Sequence, residues 1–298
     1  MVSVFYSPQY VGAAYAFETT RKAKWVADSL GRAPIDGIEL VSPPSLLYEQ
    51  VVQVHDPGYV RAVQTGVPRG LAESEGFTWD AGLWPMVLAS NGGAVAAALA
   101  ALQSGVAGSL SSGLHHARRD HGAGYCTFNG LAIAAREALA AGAASVLILD
   151  LDAHCGGGTA SLIDREPRIW QVDVSVSPFD SYESGERARL QIVGDSDQYL
   201  GEIDRALQDI RRRGPRFDLC LYNAGMDPFE GCPTGGLSGI TSEMLETRER
   251  LVFDWCRERE LPIAFVLAGG YVGDRLDEEG LVDLHRLTLS AAVTATSS

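Results

Sequence analysis

The sequence predicts an α/β protein, one domain spanning residues 1–298 and built on a mostly parallel β-sheet with helices on both faces. Three observations carry that expectation. Short apolar runs alternate with helical patterns nearly throughout the chain, the order expected of parallel strands joined by right-handed crossovers. The run Val146-Leu147-Ile148-Leu149 is apolar at every position, as in a strand covered on both faces. The 298 residues, 46% of them hydrophobic, supply one large core, and no linker, repeat or low-complexity segment divides it.

The elements follow in order. Residues 3–6 read as a first strand, 20–30 as a helix, 84–103 as an Ala-rich helix and 131–141 as another. The buried strand 146–149 comes next, then a strand at 169–176. A helix over 197–213 ends on Arg211-Arg212-Arg213, cations suited to a last turn, before Gly214-Pro215 stops it. Residues 219–222 form a strand. Thr241 or Ser242 caps a helix over 242–260, with Glu243 and Glu246 near its positive end. A strand at 263–267 and a helix at 281–293 close the chain.

With 24 Lys and Arg against 38 Asp and Glu, the formal charge is −14. Sequence-independent nucleic-acid binding needs cations to neutralise phosphates, and anionic lipid would repel this chain, so both are excluded as partners. A negative surface favours a cationic or cation-flanked substrate by long-range steering. The N-terminus has no basic segment ahead of an apolar one, so no signal peptide is expected. The most apolar run, 92–102, falls short of the roughly 18 residues that suggest a membrane span. Five cysteines without regular spacing do not form a disulfide framework. The expectation is a cytoplasmic protein.

In open parallel sheets, ligands bind beyond the carboxyl ends of the strands. Asp150 and Asp152 follow the 146–149 strand, Asp227 follows 219–222, and Tyr271 follows 263–267, so separate strands bring reactive side chains to one edge. In Asp150-Leu-Asp152-Ala-His154-Cys-Gly-Gly-Gly, carboxylates and an imidazole suit Zn²⁺, although the segment alone also reads as a solvated, Asp-capped strand end. Asp227 completes a set of two carboxylates and one imidazole with a position open for water, or merely begins a turn before Pro228. Gly113-Leu-His115-His116-Ala lies in a glycine-rich stretch where both imidazoles can approach one site as a general base and its electrostatic partner. Tyr271, after Gly269-Gly270, is either a phenol donor to a developing oxyanion or a structural tyrosine. His55 and His285 read as core or surface residues, and His121 is open.

Together these segments resemble the arginase/deacetylase superfamily in its histone deacetylase and acetylpolyamine amidohydrolase branch. The order matches: His-His, D-x-D-x-H, a late Asp, then Gly-Gly-Tyr. Val54-His55-Asp56-Pro57-Gly58-Tyr59-Val60 and Gly92-Gly93 are similar to further segments of that branch. The resemblance implies a zinc-dependent amidohydrolase acting on an N-acyl, chiefly N-acetyl, amide of an acyl-lysine, a polyamine or a small metabolite. Asp152, His154 and Asp227 would hold Zn²⁺, His116 would be the general base with His115 beside it, and Tyr271 would hold the oxyanion. Gly124 would accept the substrate amide N–H, Tyr125 would wall a tunnel, and Gly269 and Gly270 would border the substrate. Asp150 would orient His115 and, with the backbone at Ser175 and Val176, bind a structural K⁺ or Na⁺.

The binuclear manganese ureohydrolases of the superfamily use D-A-H-x-D. Here Asp152-Ala153-His154-Cys155 is followed by Gly156, so a bridging carboxylate is missing and one metal fits better. Three departures from the branch stand out. Cys155 replaces a second histidine, Gly157 replaces an Asp or Asn that orients the base, and Gly113-Leu114 replaces Pro-Gly. Loss of the orienting partner would cost His116 a hydrogen bond and, with Cys155 beside the metal-binding histidine, motivates an alternative, a zinc-containing acyl-ligand binding or regulatory module with little turnover. Loops at 77–84, 177–186 and 229–238 are expected to shape the pocket mouth.

Overall fold

The computed structural model describes residues 1–13 and 18–296. The strands are β1 Val2–Phe5, β2 Ile38–Val41, β3 Val106–Ser109, β4 Val146–Asp150, β5 Ile169–Ser175, β6 Ala188–Ile192, β7 Leu219–Ala224 and β8 Ile263–Leu267. The helices are α1 Glu18–Arg32, α2 Tyr48–Val52, α3 Pro57–Thr65, α4 Arg69–Ala72, α5 Leu83–Ser104, α6 Gly130–Ala140, α7 Gly157–Ile163, α8 Ser196–Arg213, α9 Ser242–Arg257 and α10 Glu278–Thr296. All eight strands join one parallel sheet in the order β2-β1-β3-β8-β7-β4-β5-β6.

Both faces of the sheet are covered. Leu147 and Leu149 of β4 enter a core shared with Ile203, Leu207, Phe253 and Leu289 from α8, α9 and α10. Val146 and Ile148 enter the opposite core with Val95, Ala98, Leu131 and Ala135 from α5 and α6. Alternation along a strand sends successive side chains to opposite faces, which is why β4 is apolar at every position before its terminal Asp150. The helix ends follow local chemistry. The Thr241 hydroxyl accepts the Met244 N–H at 3.3 Å, and α8 ends at Arg213 before Gly214.

Three strands escape the sequence pattern. β2 and β6 lie at the two edges and mix polar with apolar residues, and β3 is only Val-Ala-Gly-Ser. A side chain at Gly108 of β3 would overlap the Phe265 ring on β8, so the position that hides the strand also lets its neighbour pack. The Ala-rich helix α5 matches the 84–103 expectation to within one residue at each end and contains the apolar 92–102 run. By length and composition alone it is apolar enough to cross a membrane, yet 67% of its most apolar window is buried inside the fold.

Candidate metal centre

β8, β7, β4 and β5 are neighbours in the sheet, so their carboxyl ends form one contiguous rim. Asp152 and His154 lie in the turn leaving β4, and Asp227 lies beyond β7. One ligand atom from each of these three residues falls within 4.8 Å of the others. His154 Nδ1 stands 3.1 Å from Asp152 Oδ1 and 3.1 Å from Asp227 Oδ2.

Backbone donors aim the carboxylates. Asp152 Oδ2 accepts the Gly269 N–H at 2.6 Å, and Asp227 Oδ1 accepts the Ala153 N–H at 3.0 Å. Asp227 Oδ2 is buried and has no well-aligned hydrogen bond, with His154 Nδ1 facing it at 3.1 Å. Burial and the Asp152 carboxylate push Asp227 up to about 6. Burial works against a charge on His154, but Asp152 and Asp227 overcome it and carry the imidazole up to about 11. A buried pair of carboxylates with an orphaned oxygen and a converging imidazole is a donor set suited to a divalent cation.

Gly269 makes this convergence possible. A Cβ there would overlap Asp227 Oδ2 and lie 2.6 Å from Asp152 Oδ2. Gly269→Ala is therefore expected to lower bound metal well below one equivalent and to cost roughly 1–3 kcal/mol of stability through overpacking. Elemental analysis and thermal unfolding check both.

The paired histidines reach the same rim. Leu114 adopts a left-handed conformation (φ 53°), and this turn brings the two consecutive imidazoles side by side, ring centroids 4.0 Å apart. An extended segment would send them to opposite sides. His115 Nδ1 lies 2.8 Å from Asp150 Oδ2, and Asn223 at the end of β7 donates to Asp150 Oδ1 at 2.8 Å. Burial works against a charge on His115, but Asp150 and Asp152 carry it up to about 10. His116 is the opposite case. Burial and the neighbouring His115 hold it down to about 4, against the pull of Asp180.

The absence of an orienting partner for His116, expected from Gly157, is corrected by the structure. His116 Nδ1 lies 2.9 Å from Asp180 Oδ2, a carboxylate from the loop after β5. Cys155 does not join the ligand cluster. Its thiol donates to the Ser177 carbonyl at 3.2 Å, and burial, aided by Asp173, raises it to about 12.

The remaining residues fall around this centre. Ser175 Oγ donates to Asp173 Oδ1 at 2.5 Å, and the Val176 N–H bonds the Ala153 carbonyl at 3.0 Å, tying the end of β5 to the D-x-D-x-H turn. Gly124 (φ 52°) passes so close to His116 that a Cβ would lie 2.5 Å from its Cδ2. Tyr125 is 47% exposed, and its ring is 5.2 Å from Phe77 of the 77–84 loop. Gly270 backs onto Leu281 and His285 of α10, and Tyr271 beyond it is partly buried, its carbonyl 3.6 Å from Cys232 Sγ. Of the 229–238 loop, Gly235 lies against Ala153 and His154. His55 is structural: its Nε2 accepts the Asn129 N–H at 3.0 Å and its Nδ1 lies 2.7 Å from the Arg118 carbonyl. His121 is exposed beside Asp120, and His285 is buried.

Several participants carry no signature in sequence. Phe179 presents its ring edge-to-face with His116 at 5.0 Å and His154 at 5.9 Å. Lys22 of α1, fully buried, donates to the Ala268 carbonyl, and burial lowers its ammonium to about 8 against the pull of Asp227 and Asp152. Arg248 of α9 donates to the Leu151 carbonyl at 3.3 Å and pairs with Glu249. Two cations therefore lie behind the carboxylate-rich rim. The one usable signal was alternation in β5, which puts Asp173 and Ser175 on the same face.

Residues 16–281 match the family model for the histone deacetylase domain. An uncharacterized protein of Picosynechococcus sp. is 35% identical over 244 residues, covering 80% of each chain. Histone deacetylase 2 of Arabidopsis thaliana is 31% identical over 189 residues, 61% of this chain and 48% of that protein. Acetylpolyamine amidohydrolase of Mycoplana ramosa is 24% identical over 304 residues, covering 86% of this chain and 87% of the other. Among solved structures, an acetylpolyamine aminohydrolase from Burkholderia pseudomallei superposes with a TM-score of 0.78 at 21% identity, covering 98% of both chains. The HDA15 HD domain superposes at 0.80 with 17% identity, covering 99% of this chain and 90% of the other. These two likenesses show the fold.

Proposed function

The chain belongs to the histone deacetylase domain family, a hydrolase acting on amide bonds, and from that membership we propose a zinc-dependent deacetylase that removes an acetyl group from an acylated amine. The observation that carries this reading is the pairing, on one rim, of a convergent Asp-His-Asp set with a second imidazole whose Nδ1 is held by a carboxylate. Zinc held by Asp152, His154 and Asp227 would supply Lewis acidity to the attacking water and the acyl oxygen.

The chain's own residues supply the rest. With Nδ1–H directed at Asp180, His116 presents the Nε2 lone pair and takes the proton of the attacking water. It later returns that proton to the leaving amine nitrogen, so the products are a carboxylate and a free amine. His115, held charged by Asp150, places a fixed positive charge beside the developing oxyanion. Tyr271 donates its phenol O–H to that oxyanion. Phe179 and Tyr125 offer flat walls to an aliphatic linker, with the Gly124 carbonyl as acceptor for the amide N–H. An acyl-lysine peptide, an acetylated polyamine and a small acetylated amine all meet this chemistry, and the relatives named for acetylpolyamine hydrolysis support the second.

The test is a panel of acetyl-lysine peptides, acetylpolyamines and small N-acyl amines offered to zinc-saturated protein. Free amine from at least one class is expected, and no release from any would overturn the reading. Elemental analysis separates it from a binuclear ureohydrolase, since one zinc is expected rather than two manganese ions. A general base must be neutral to act, so activity is lost as pH falls through its pKa. With His116 near 4, kcat/KM of metal-saturated protein is expected to stay level below the ordinary imidazole value of 6.5. An acid limb at or above that value would show that a group other than His116, such as the zinc-activated water, governs the profile.

A further inference from the structure

We infer that Asp180 is the positioning residue of the His116 imidazole, and that glycine at 157 is required to admit it; this rests on His116 acting as the base. The carboxylate is gripped from three segments. Oδ2 faces His116 Nδ1 at 2.9 Å and accepts the Gly158 N–H of α7 at 3.1 Å. Oδ1 pairs with the Arg118 guanidinium, whose other terminal nitrogen donates to the Gly157 carbonyl at 2.9 Å. With both oxygens engaged, the carboxylate has no freedom to turn away, and its side chain is only 8% exposed. A charge buried to that degree persists only when paired and hydrogen-bonded.

Steric exclusion gives the second line of support. A Cβ at residue 157 would overlap the Asp180 main-chain oxygen and lie 2.6 Å from its Oδ1. Any side chain at 157 and the present course of Asp180 are therefore mutually exclusive. Asp180 itself holds a left-handed backbone (φ 59°), a conformation that Asp tolerates better than most residues, so the loop bends sharply at the point of contact. Phe179, the preceding residue, packs edge-to-face on the same imidazole. One short segment thus fixes the plane of the ring and the nitrogen that carries its proton. A carboxylate in that place sets the tautomer of an imidazole and leaves the opposite nitrogen as acceptor.

The test uses the full zinc-loaded chain with Asp180→Asn, Asp180→Ala and Gly157→Ala. Each variant is expected to lower kcat roughly 10- to 100-fold, with KM changed less than about twofold and zinc kept at one equivalent. Because Asp180 acts through His116, adding Asp180→Ala to a His116→Ala chain should cost nothing further. An additive loss, or a loss expressed in KM or zinc content, overturns the inference. A second readout needs no substrate. In proton NMR the hydrogen-bonded His116 Nδ1–H should move upfield in Asp180→Asn, while the His115 signal on Asp150 stays. An unmoved His116 signal overturns the inference even if the deacetylase reading stands. A moved signal in a protein without hydrolysis supports the pairing and faults that reading instead.

Discussion

Replacing His116 by Ala is expected to lower kcat about 10²- to 10⁴-fold, the range a positioned general base contributes. Zinc content should stay at one equivalent, because the converging ligand atoms belong to Asp152, His154 and Asp227 and none to His116. The two imidazoles of the pair should also part company in kind. Asp150, at 2.8 Å, and Asp152 raise His115 and favour its charged form. His116 is held near 4 and is uncharged at neutral pH. On the proposed reading, loss of His115 would remove a positive charge, whereas loss of His116 would remove the proton acceptor. A His116→Ala enzyme with wild-type kcat, measured under zinc saturation, would assign the base elsewhere.

Asp227→Asn should abolish stoichiometric zinc binding and with it essentially all turnover, at least 10³-fold. On the proposed reading Oδ2 would be the ligand atom, and an amide would offer in its place either a neutral oxygen or an N–H donor. The stability consequence runs the other way. Burial and Asp152 raise the folded-state pKa of Asp227 from 3.8 to about 6, so its negative charge disfavours the folded state above that pH and is relieved below it. The amide removes that charge. At pH 7.5 the metal-free variant should unfold at or above the temperature of metal-free wild type. Saturating zinc should raise only the wild type, by the mass-action term that follows binding to the native state alone. Scanning calorimetry with and without zinc reads both, and a zinc-stabilised Asp227→Asn chain would remove Asp227 from the ligand set.

Much of this was legible in the residue order. β4, β5, β7 and β8 are written as apolar runs because strands buried on both faces have no polar side to show. The convergence of Asp152, His154 and Asp227 could be anticipated because each follows a strand that ends on the same rim. What stayed hidden was hidden for physical reasons. β2 and β6 are half-covered edges, and β3 is made of small residues that admit Phe265. The left-handed turn at Leu114, which sets the histidines side by side, has no glycine to announce it. Asp180 meets His116 across 64 residues of chain, so only the folded loop reveals the contact, and Gly157 reads from the sequence as a loss when it is the other half of an exchange.

That exchange changes what can be altered independently. Within eight consecutive residues, 173–180, the segment leaving β5 contributes Asp173 and Ser175 beneath the rim, Phe179 against the His116 ring, and Asp180 on its Nδ1. On the proposed reading, substrate fit and proton transfer would be coupled through this one stretch. A change made there for a bulkier acyl chain would then be expected to affect turnover as well. The Phe77–Tyr125 contact lies on a different stretch of chain, so it could be altered without touching that segment.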